Sequence, residues 1–496
     1  MKTLRHILLA PLVALLLTLA IVVMLPRAGA SALAFPAAQT LSVNSPADVP
    51  DAVPGDGACE TAPNNNVCTL RAAIQEANAT GGAHTILLPA GPYALLRAGV
   101  DNTALNGDLD ISRTVTLQGA GQALALIDGN GAVTGDRVIH ILSGAVVTLS
   151  GITLQGGVAT YGGGLSNVGA LTLIDSTIVS NTATGDGGGI AHFGTSMTIQ
   201  DSSIISNTSG PGAGGLFNDG PSATIRRSAI SGNTSSYGAG ILNSGGASLV
   251  LDGVRMQGNK ATLTGGSLYN GAIVTATNVL LDGNTAGTDG GGIYIAGGSV
   301  WLSNSTLSGN RANQFGGGLY AGLGAVYLYN VTLAFNVADD DNNDDSDGGG
   351  ISQTGAPVFL QNTILANNVH PTSLPSRGFV ADDCKGALTS AGFNLIRDTT
   401  GCTIWGTATG NIIGLDPLLA PLQDNGGPTW THALNFGSPA IDAGNPGGCT
   451  GPLGAILTTD QRGRPRPADG NHDGVARCDI GAFEAQLLLY LPLIVR

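Results

Sequence analysis

The sequence has little charge, few aromatic residues and almost no glutamate. Only 11% of its 496 residues are charged and 4% are aromatic, and Glu occurs only at Glu60, Glu76 and Glu484. Because Glu and Lys usually coat exposed helices, their scarcity argues against a helical protein. The net charge is −14, whereas binding to nucleic-acid phosphates needs clustered Lys and Arg. The composition therefore predicts a turn-rich β protein with no nucleic-acid partner.

The six cysteines contain no CxxC motif and no zinc-like spacing with histidine. They fall outside the repeated part of the chain as three neighbouring pairs, which is typical of local disulfides in an exported protein. The predicted disulfides are Cys59–Cys68, Cys384–Cys402 and Cys449–Cys478.

Only one hydrophobic run is long enough to cross a bilayer as a helix, and it lies at the N-terminus. Lys2 and Arg5 precede the apolar residues 7–25, and a small-residue cleavage site follows at 32–34. This layout predicts a secretory signal peptide over residues 1–34. Two fates stay open: cleavage, which leaves no transmembrane domain, or retention of the run as a membrane anchor.

Glycine is abundant, with 77 residues, and it recurs in clusters that are followed by an apolar residue and later by an asparagine. The period is near 26 residues, since Asn181 and Asn336 lie six repeats and 155 residues apart. Alternating apolar residues between these positions predict three short strands in each repeat. Three columns result: Leu165, Ile190, Leu216, Ile241, Leu268, Ile293, Leu319 and Ile351 after the glycines; Asn181, Asn207, Asn233, Asn259, Asn284, Asn310, Asn336 and Asn367; and, three residues before these, Ile178, Ile204, Ile230, Met256, Leu281, Leu307, Leu333 and Ile364.

A three-strand unit of this period buries its apolar residues only by coiling and stacking on its neighbours, so we predict an all-β, right-handed parallel β-helix. The asparagines are expected to form an inward hydrogen-bonded ladder, and the glycines to turn the corners. A solenoid must cap its ends. Leu70, Ala73, Ile74 and Ala77 fall on one face of a predicted N-terminal capping helix.

Three segments resemble known families. The run "DVPDAVPGDGACETAPNNNVCTLRAAIQEANA", followed by "GDLDISRTVTLQGAG", resembles the N-terminal module of CSLREA-domain secreted proteins, with Ala72 in place of the family's glutamate. The repeats resemble those of polymorphic outer membrane proteins. "DNGGPTWTHALNFGSPAIDAGN" and "CDIGAFE" are similar to the C-terminal module named choice-of-anchor Q. The resemblance implies a protein that is secreted or exposed on a bacterial cell surface, without implying a reaction.

These patterns divide the chain into five parts. The first is the signal peptide, and the last is the apolar tail "LLLYLPLIVR", for which a sorting signal and a closing strand both remain open. The disulfides are expected to staple the cap and the C-terminal module. The predicted parts are residues 1–34 (signal peptide), 41–110 (CSLREA-like cap), 111–375 (β-helix repeats), 376–486 (C-terminal module) and 487–496 (tail).

The residue two positions beyond each middle strand forms a corner column that includes Asp175, Asp201 and Arg227. Two neighbouring carboxylates beside an arginine are candidates for catalysis on an acidic sugar. The competing interpretation is that Asp and Asn are good corner residues and that the arginine neutralises them. No His, Tyr or Lys joins this register, so the catalytic interpretation lacks an additional acid.

Calcium is the only cofactor that the sequence suggests. "DGNHDGVARCDIGAFE" contains Asp469, Asn471 and Asp473 with the alternate spacing of a calcium loop, but the acid expected at position twelve falls one residue early, at Asp479. The acidic insertion "ADDDNNDDSDGGG" is interpreted as a solvated loop that binds calcium weakly if at all.

Two functions follow from the sequence. The first is a secreted or cell-surface rod that acts as a non-enzymatic, adhesin-like or envelope scaffold and binds carbohydrate or protein partners. The alternative is a secreted polysaccharide lyase or glycoside hydrolase that acts on acidic polysaccharide through Asp175, Asp201 and Arg227. The uniform repeat length around these residues favours the scaffold, because a catalytic groove needs long bounding loops.

Overall fold

The computed structural model describes residues 38–342, 347–372 and 378–486. The predicted signal peptide at 1–34 and the apolar tail at 487–496 lie outside these ranges. Part of the acidic insertion also lies outside them. In the described ranges, no helix has the length and apolar character needed to cross a membrane.

The chain winds into a parallel β-helix, in which equivalent strands of successive coils pair side by side. The first ladder consists of the strands that follow the glycine clusters, and Leu165, Ile190 and Leu216 pair in register along it, as predicted. Its strands are Leu109–Ile111, Ile139–Ile141, Leu165–Asn167, Ile190–His192, Leu216–Asn218, Ile241–Asn243, Leu268–Asn270, Ile293–Ile295, Leu319–Ala321 and Ile351–Gln353.

The second ladder is the longest and runs from Thr40 to Gly406. Coils are therefore present on both sides of residues 111–375, the range predicted for the β-helix repeats. Two of its strands, Ser299–Ser308 and Ala325–Ala334, continue through a corner into the third ladder. Its other strands are Thr40–Ser42, Ala83–Leu88, Thr114–Gly119, Val146–Ser150, Ala170–Ile174, Ser196–Gln200, Ser222–Arg226, Ser248–Asp252, Ile273–Thr277, Val358–Gln361, Cys384–Ser390 and Cys402–Gly406.

The third ladder carries the apolar residues that precede the asparagines. Its separate strands are Gly91–Ala94, Ala125–Asp128, Thr153–Gln155, Thr177–Val179, Ser203–Ile205, Ala229–Ser231, Arg255–Gln257, Leu280–Asp282, Ile364–Ala366, Leu395–Ile396 and Ile412–Ile413. The three predicted strands of each repeat are thus present.

A fourth, shorter ladder follows the asparagines and was not predicted. It contains Val158–Ala159, Thr182–Ala183, Thr208–Ser209, Thr234–Tyr237, Lys260–Thr264, Thr285–Ala286 and Arg311–Ala312. Besides the capping helix described below, four described elements belong to none of these ladders: the antiparallel strands Val369–Pro371 and Phe379–Ala381, the helix Gly131–Thr134 and the 3₁₀ turn Pro452–Gly454.

The asparagines form the predicted ladder. The backbone N–H and the Nδ2 of Asn181 both donate to Oδ1 of Asn207, at 3.0 and 3.1 Å, and Asn207 repeats this pattern with Asn233. Each side chain is fully or almost fully buried. One amide per coil therefore satisfies buried backbone groups and ties adjacent coils together.

The predicted register is wrong by one residue in the last repeat. Asn336 donates to Asn368, not to Asn367, and Leu333 pairs with Leu365, not with Ile364. Because side chains alternate between faces, the shift turns Ile364 out of the solenoid core. The sequence has two adjacent asparagines there, so the pattern alone fits either choice.

The N-terminal end is capped by the helix Leu70–Ala79, and its predicted apolar face is buried. Oγ1 of Thr69 accepts a hydrogen bond from the N–H of Ala72, which caps the first turn. The predicted disulfides all form: Cys59–Cys68 in the cap, Cys384–Cys402 between two late coils and Cys449–Cys478 in the C-terminal part.

Candidate functional site

The corner between the second and third ladders repeats one backbone conformation. Asp175, Asp201 and Arg227 have φ of 45°, 50° and 44°, and the next residue of the column is Gly253 at 63°. Asn and Asp tolerate this left-handed conformation better than most other residues, and glycine is best suited to it. The corner geometry therefore explains most of the residue types in the column without any catalytic role.

The chain after Ile413 folds back along this column and covers half of it. Residues 415–486, called here the C-terminal segment, bind the corner asparagines of four successive coils. The asparagine contacts are Thr429 Oγ1 to the carbonyl of Asn278 (3.0 Å), Asn304 Nδ2 to the carbonyl of Thr459 (2.8 Å), Asn330 Nδ2 to the carbonyl of Thr450 (2.9 Å) and the N–H of Asn445 to Asn362 Oδ1 (3.0 Å).

A second hydrophobic core lies between the C-terminal segment and the last coils. Ile364 and Leu395 on the outside of the third ladder pack with Leu434, Ala440 and Ile480. Ile364, which the sequence pattern assigned to the solenoid core, thus has its apolar partners in this second core.

A buried ionic cluster also stabilises the contact between the C-terminal segment and the coils. Arg466 pairs with Glu484 at 3.0 Å, with both side chains fully buried, and its Nη1 donates to Asn304 Oδ1 at 2.9 Å. Burial and the Glu484 carboxylate raise the pKa of Asp479 to about 8. Asp479 accepts hydrogen bonds from the N–H groups of Asp442 and Ala485.

The other half of the column, called here the open corner, is formed by Asp175, Asp201 and Arg227. Asp201 and Arg227 make a bidentate ion pair, with both N–O distances at 2.8 Å and side chains 42% and 53% exposed. Asp175 accepts instead from Nε2 of Gln122, at 3.1 Å. The two carboxylates therefore have separate partners.

A shallow cavity of about 410 Å³ lies along the open corner. Asp201, Arg227 and Arg255 line it, and Pro428 of the C-terminal segment closes one end. Arg255 also stacks over the ring of Trp430, 5.2 Å from its centroid. Two arginines and one carboxylate suit an anionic ligand, such as an acidic sugar.

Hydrogen bonds from Arg227 and Gln200 lower the pKa of Asp201. A carboxylate that holds its charge in this way is a poor proton donor at neutral pH. The residues that line the cavity include no His, Tyr or Lys. The open corner therefore suits binding of an anionic ligand, but its lining residues do not include the proton donor that hydrolysis requires.

The four residues of the predicted calcium loop have different hydrogen-bond partners. Asp469, Asn471 and Asp473 accept hydrogen bonds from N–H groups of their own turn, whereas Asp479 is buried in the ionic cluster described above. Asp473 also pairs with Arg477 at 3.1 Å. Calcium binding at this turn stays a prediction.

Sequence reasoning missed a buried cluster in the first coils. Asp108, Asp110 and His140 offer ligand atoms that all lie within 4.8 Å of one another. A second such group, Asp347, His370 and Asp382, already has Lys385 Nζ 2.7 Å from Asp347. The alternation in "GDLDI" and "RVIHI" was the only available signal for the first cluster.

Aromatic rings stack along the outside of two ladders. In the first ladder, the ring centroids of Tyr269, Tyr294 and Tyr320 are 5.2 and 5.0 Å apart. Trp301 and Tyr327 stack at 3.8 Å on the second ladder, where Phe359 continues the column at 4.9 Å. These rings are half-buried, so their edges reach solvent.

Residues 157–338 match the family model described as a right handed beta helix region. The sequence matches no curated protein. Among solved structures, the chain is similar to one titled "Crystal structure of pectate lyase Pel9A", with 12% identity, coverage of 91% of this chain and 98% of that chain, and a TM-score of 0.39. The family-model match and the parallel strand pairing confirm the predicted right-handed parallel β-helix. The weak structural likeness supports no inference about activity.

Proposed function

We propose that the protein is a secreted or cell-surface scaffold that binds extended carbohydrate chains along the outside of its β-helix, without cleaving them. The observation that carries this proposal is the pair of aromatic columns, each of which carries one ring on each of three successive coils. A linear polymer presents a similar repeat of apolar sugar faces and polar edges. Half-exposed tyrosine and tryptophan offer both an apolar surface and a hydrogen-bonding group.

Ring stacking also stabilises the coils themselves, by about 0.5–1.5 kcal/mol for each pair. Stability alone does not explain why the rings lie on two adjacent outer ladders rather than in the core. Tyr161, Phe193 and Tyr237 extend the aromatic surface of the first ladder toward the N-terminus, with 44%, 38% and 38% of each residue exposed. Exposed aromatic surface of this extent is typical of interaction sites.

The test is affinity electrophoresis of residues 38–486 in gels that contain neutral or acidic polysaccharides. We expect retardation by at least one polysaccharide and its loss in the double variant Tyr294→Leu, Tyr320→Leu. The matched control is Thr198→Leu, Thr224→Leu, since these threonines occupy the outward column of the second ladder where no ring is present. Retardation by no polysaccharide would contradict the proposal.

The alternative function is cleavage of acidic polysaccharide, which the arginine-lined cavity at the open corner favours. The same polysaccharides are incubated with the protein, with and without calcium, and assayed for unsaturated or reducing ends. We expect none. Release of oligosaccharides that disappears in Asp201→Ala would overturn the scaffold in favour of an enzyme.

A further inference from the structure

Two adjacent strands of the first ladder bring a carboxylate and an imidazole together near the N-terminal cap. Asp110 in the strand Leu109–Ile111 pairs directly with His140 in the strand Ile139–Ile141. Oδ1 of Asp110 lies 3.1 Å from Nδ1 of His140. Asp108 precedes the first of these strands and completes the cluster.

One carboxylate oxygen of this cluster accepts no hydrogen bond. Asp108 and Asp110 are fully buried, and Oδ1 of Asp108 has no N–H or O–H donor among the described residues. Buried polar atoms are almost always satisfied, so an unpaired carboxylate oxygen points to a ligand. The side chain of His140 is 15% exposed, which gives the cluster a route to solvent.

The charge of the cluster suits a doubly charged cation. Oδ2 of Asp136 accepts from the N–H of Asp108, which adds a third carboxylate, while Arg137 Nη1 pairs with Asp108 Oδ2 at 3.1 Å. The three carboxylates thus outnumber the single guanidinium beside them.

We propose that Asp108, Asp110 and His140 bind one divalent transition-metal ion, for which Zn²⁺ is the probe. Two carboxylate oxygens and one imidazole nitrogen are typical ligands of Zn²⁺, whereas Ca²⁺ takes six to eight oxygens. The bound ion joins two coils beside the capping helix, because Asn78 of that helix donates to the carbonyl of Asp110 at 2.7 Å. It stabilises the N-terminal end of the solenoid.

The test uses the full-length protein, first stripped with a chelator. Zn²⁺ binding is measured by isothermal titration calorimetry and native mass spectrometry, and the melting temperature is measured with and without Zn²⁺. We expect one ion per chain and a higher melting temperature. His140→Gln and Asp110→Asn should each lower the affinity at least about tenfold.

The control variant is His370→Gln, which alters the second His–Asp cluster and should leave Zn²⁺ binding unchanged. Circular dichroism confirms that each variant is folded. His140→Gln is the safer of the two variants, because His140 is partly exposed whereas Asp110 is fully buried. The proposal is overturned if the wild-type protein binds no Zn²⁺ stoichiometrically. It is also overturned if His140→Gln binds as tightly as the wild type, or if only His370→Gln loses the ion.

Discussion

The open and covered halves of the corner column share one backbone conformation and differ in side-chain chemistry. Asn304 and Asn330 have φ of 46° and 54°, close to the 50° of Asp201. The asparagines are buried under the C-terminal segment, whereas Asp201 and Arg227 remain in solvent. A neutral amide offers one donor and one acceptor to an approaching backbone, but an ion resists burial without a partner. The residue type at an otherwise identical corner thus differs between the covered coils and the open ones.

The largest predicted effect comes from Arg466→Met. Removing this guanidinium leaves Glu484 without its ion-pair partner and Asn304 Oδ1 without its donor. Loss of one member of a buried pair costs about 3–5 kcal/mol. We expect the C-terminal segment to detach while the solenoid persists, as measured by limited proteolysis and hydrogen exchange. Arg227→Met in the open half is the control and should show no such cleavage. Cleavage of the solenoid itself in Arg466→Met would mean that the two parts fold as one unit.

The repeated coils could be predicted because each depends on neighbours at fixed spacing. The glycine corners, the inward apolar columns and the asparagine ladder are all local patterns that repeat with one period. The return of the C-terminal segment along the coils could not be predicted in this way, because its contacts join residues whose separation follows no repeat. Thr306, for example, donates to Gln461, which lies 155 residues later. No periodic pattern in the C-terminal segment indicates which coils it covers.

The candidate sites also differ in whether their residues follow the repeat period. Asp175, Asp201 and Arg227 were found because they occupy one column, but Gln122, the partner of Asp175, lies upstream of the coils that keep the regular period of 26. Asp110 and His140 were missed because they lie 30 residues apart, in early coils that depart from the period of 26. A second buried amide column, in which Asn218, Asn243 and Asn270 bond in series, was also missed. Each of these asparagines lies two positions after an inward apolar residue. The period-2 pattern therefore assigns it to the same inward face but does not predict a hydrogen-bonded column.

The second prediction concerns pH, which should affect the two halves differently. Asp479 under the covered half has a pKa raised to about 8, so the folded state keeps a proton that the unfolded chain releases above about pH 4. Attachment of the C-terminal segment is therefore strongest in acid and weakens as the pH rises through about 8. The loss accumulates between the two pKa values, from about pH 4 to about pH 8, and levels off above them.

Urea unfolding monitored by tryptophan fluorescence measures this slope, because Trp430 lies in the C-terminal segment. The control Asp479→Asn should have a flatter pH dependence, whatever its absolute stability. The pKa of Asp201 is lowered, so its ion pair persists over this whole range and contributes no slope. If the unfolding free energy of Asp479→Asn depended on pH as steeply as that of the wild type, a group other than Asp479 would be the one that titrates.

The smallest predicted effect is that of Asp201→Asn, which gives the open half the residue found in the covered half. Asp201 and Arg227 are well exposed, and an exposed ion pair contributes little because water and salt screen it. We expect an unchanged melting temperature by calorimetry. The reverse exchange, Asn330→Asp, should lower it, because a buried carboxylate would replace the donor to the carbonyl of Thr450. If both exchanges destabilised the protein equally, the left-handed corner itself, rather than the cover of the C-terminal segment, would determine which residues the column accepts.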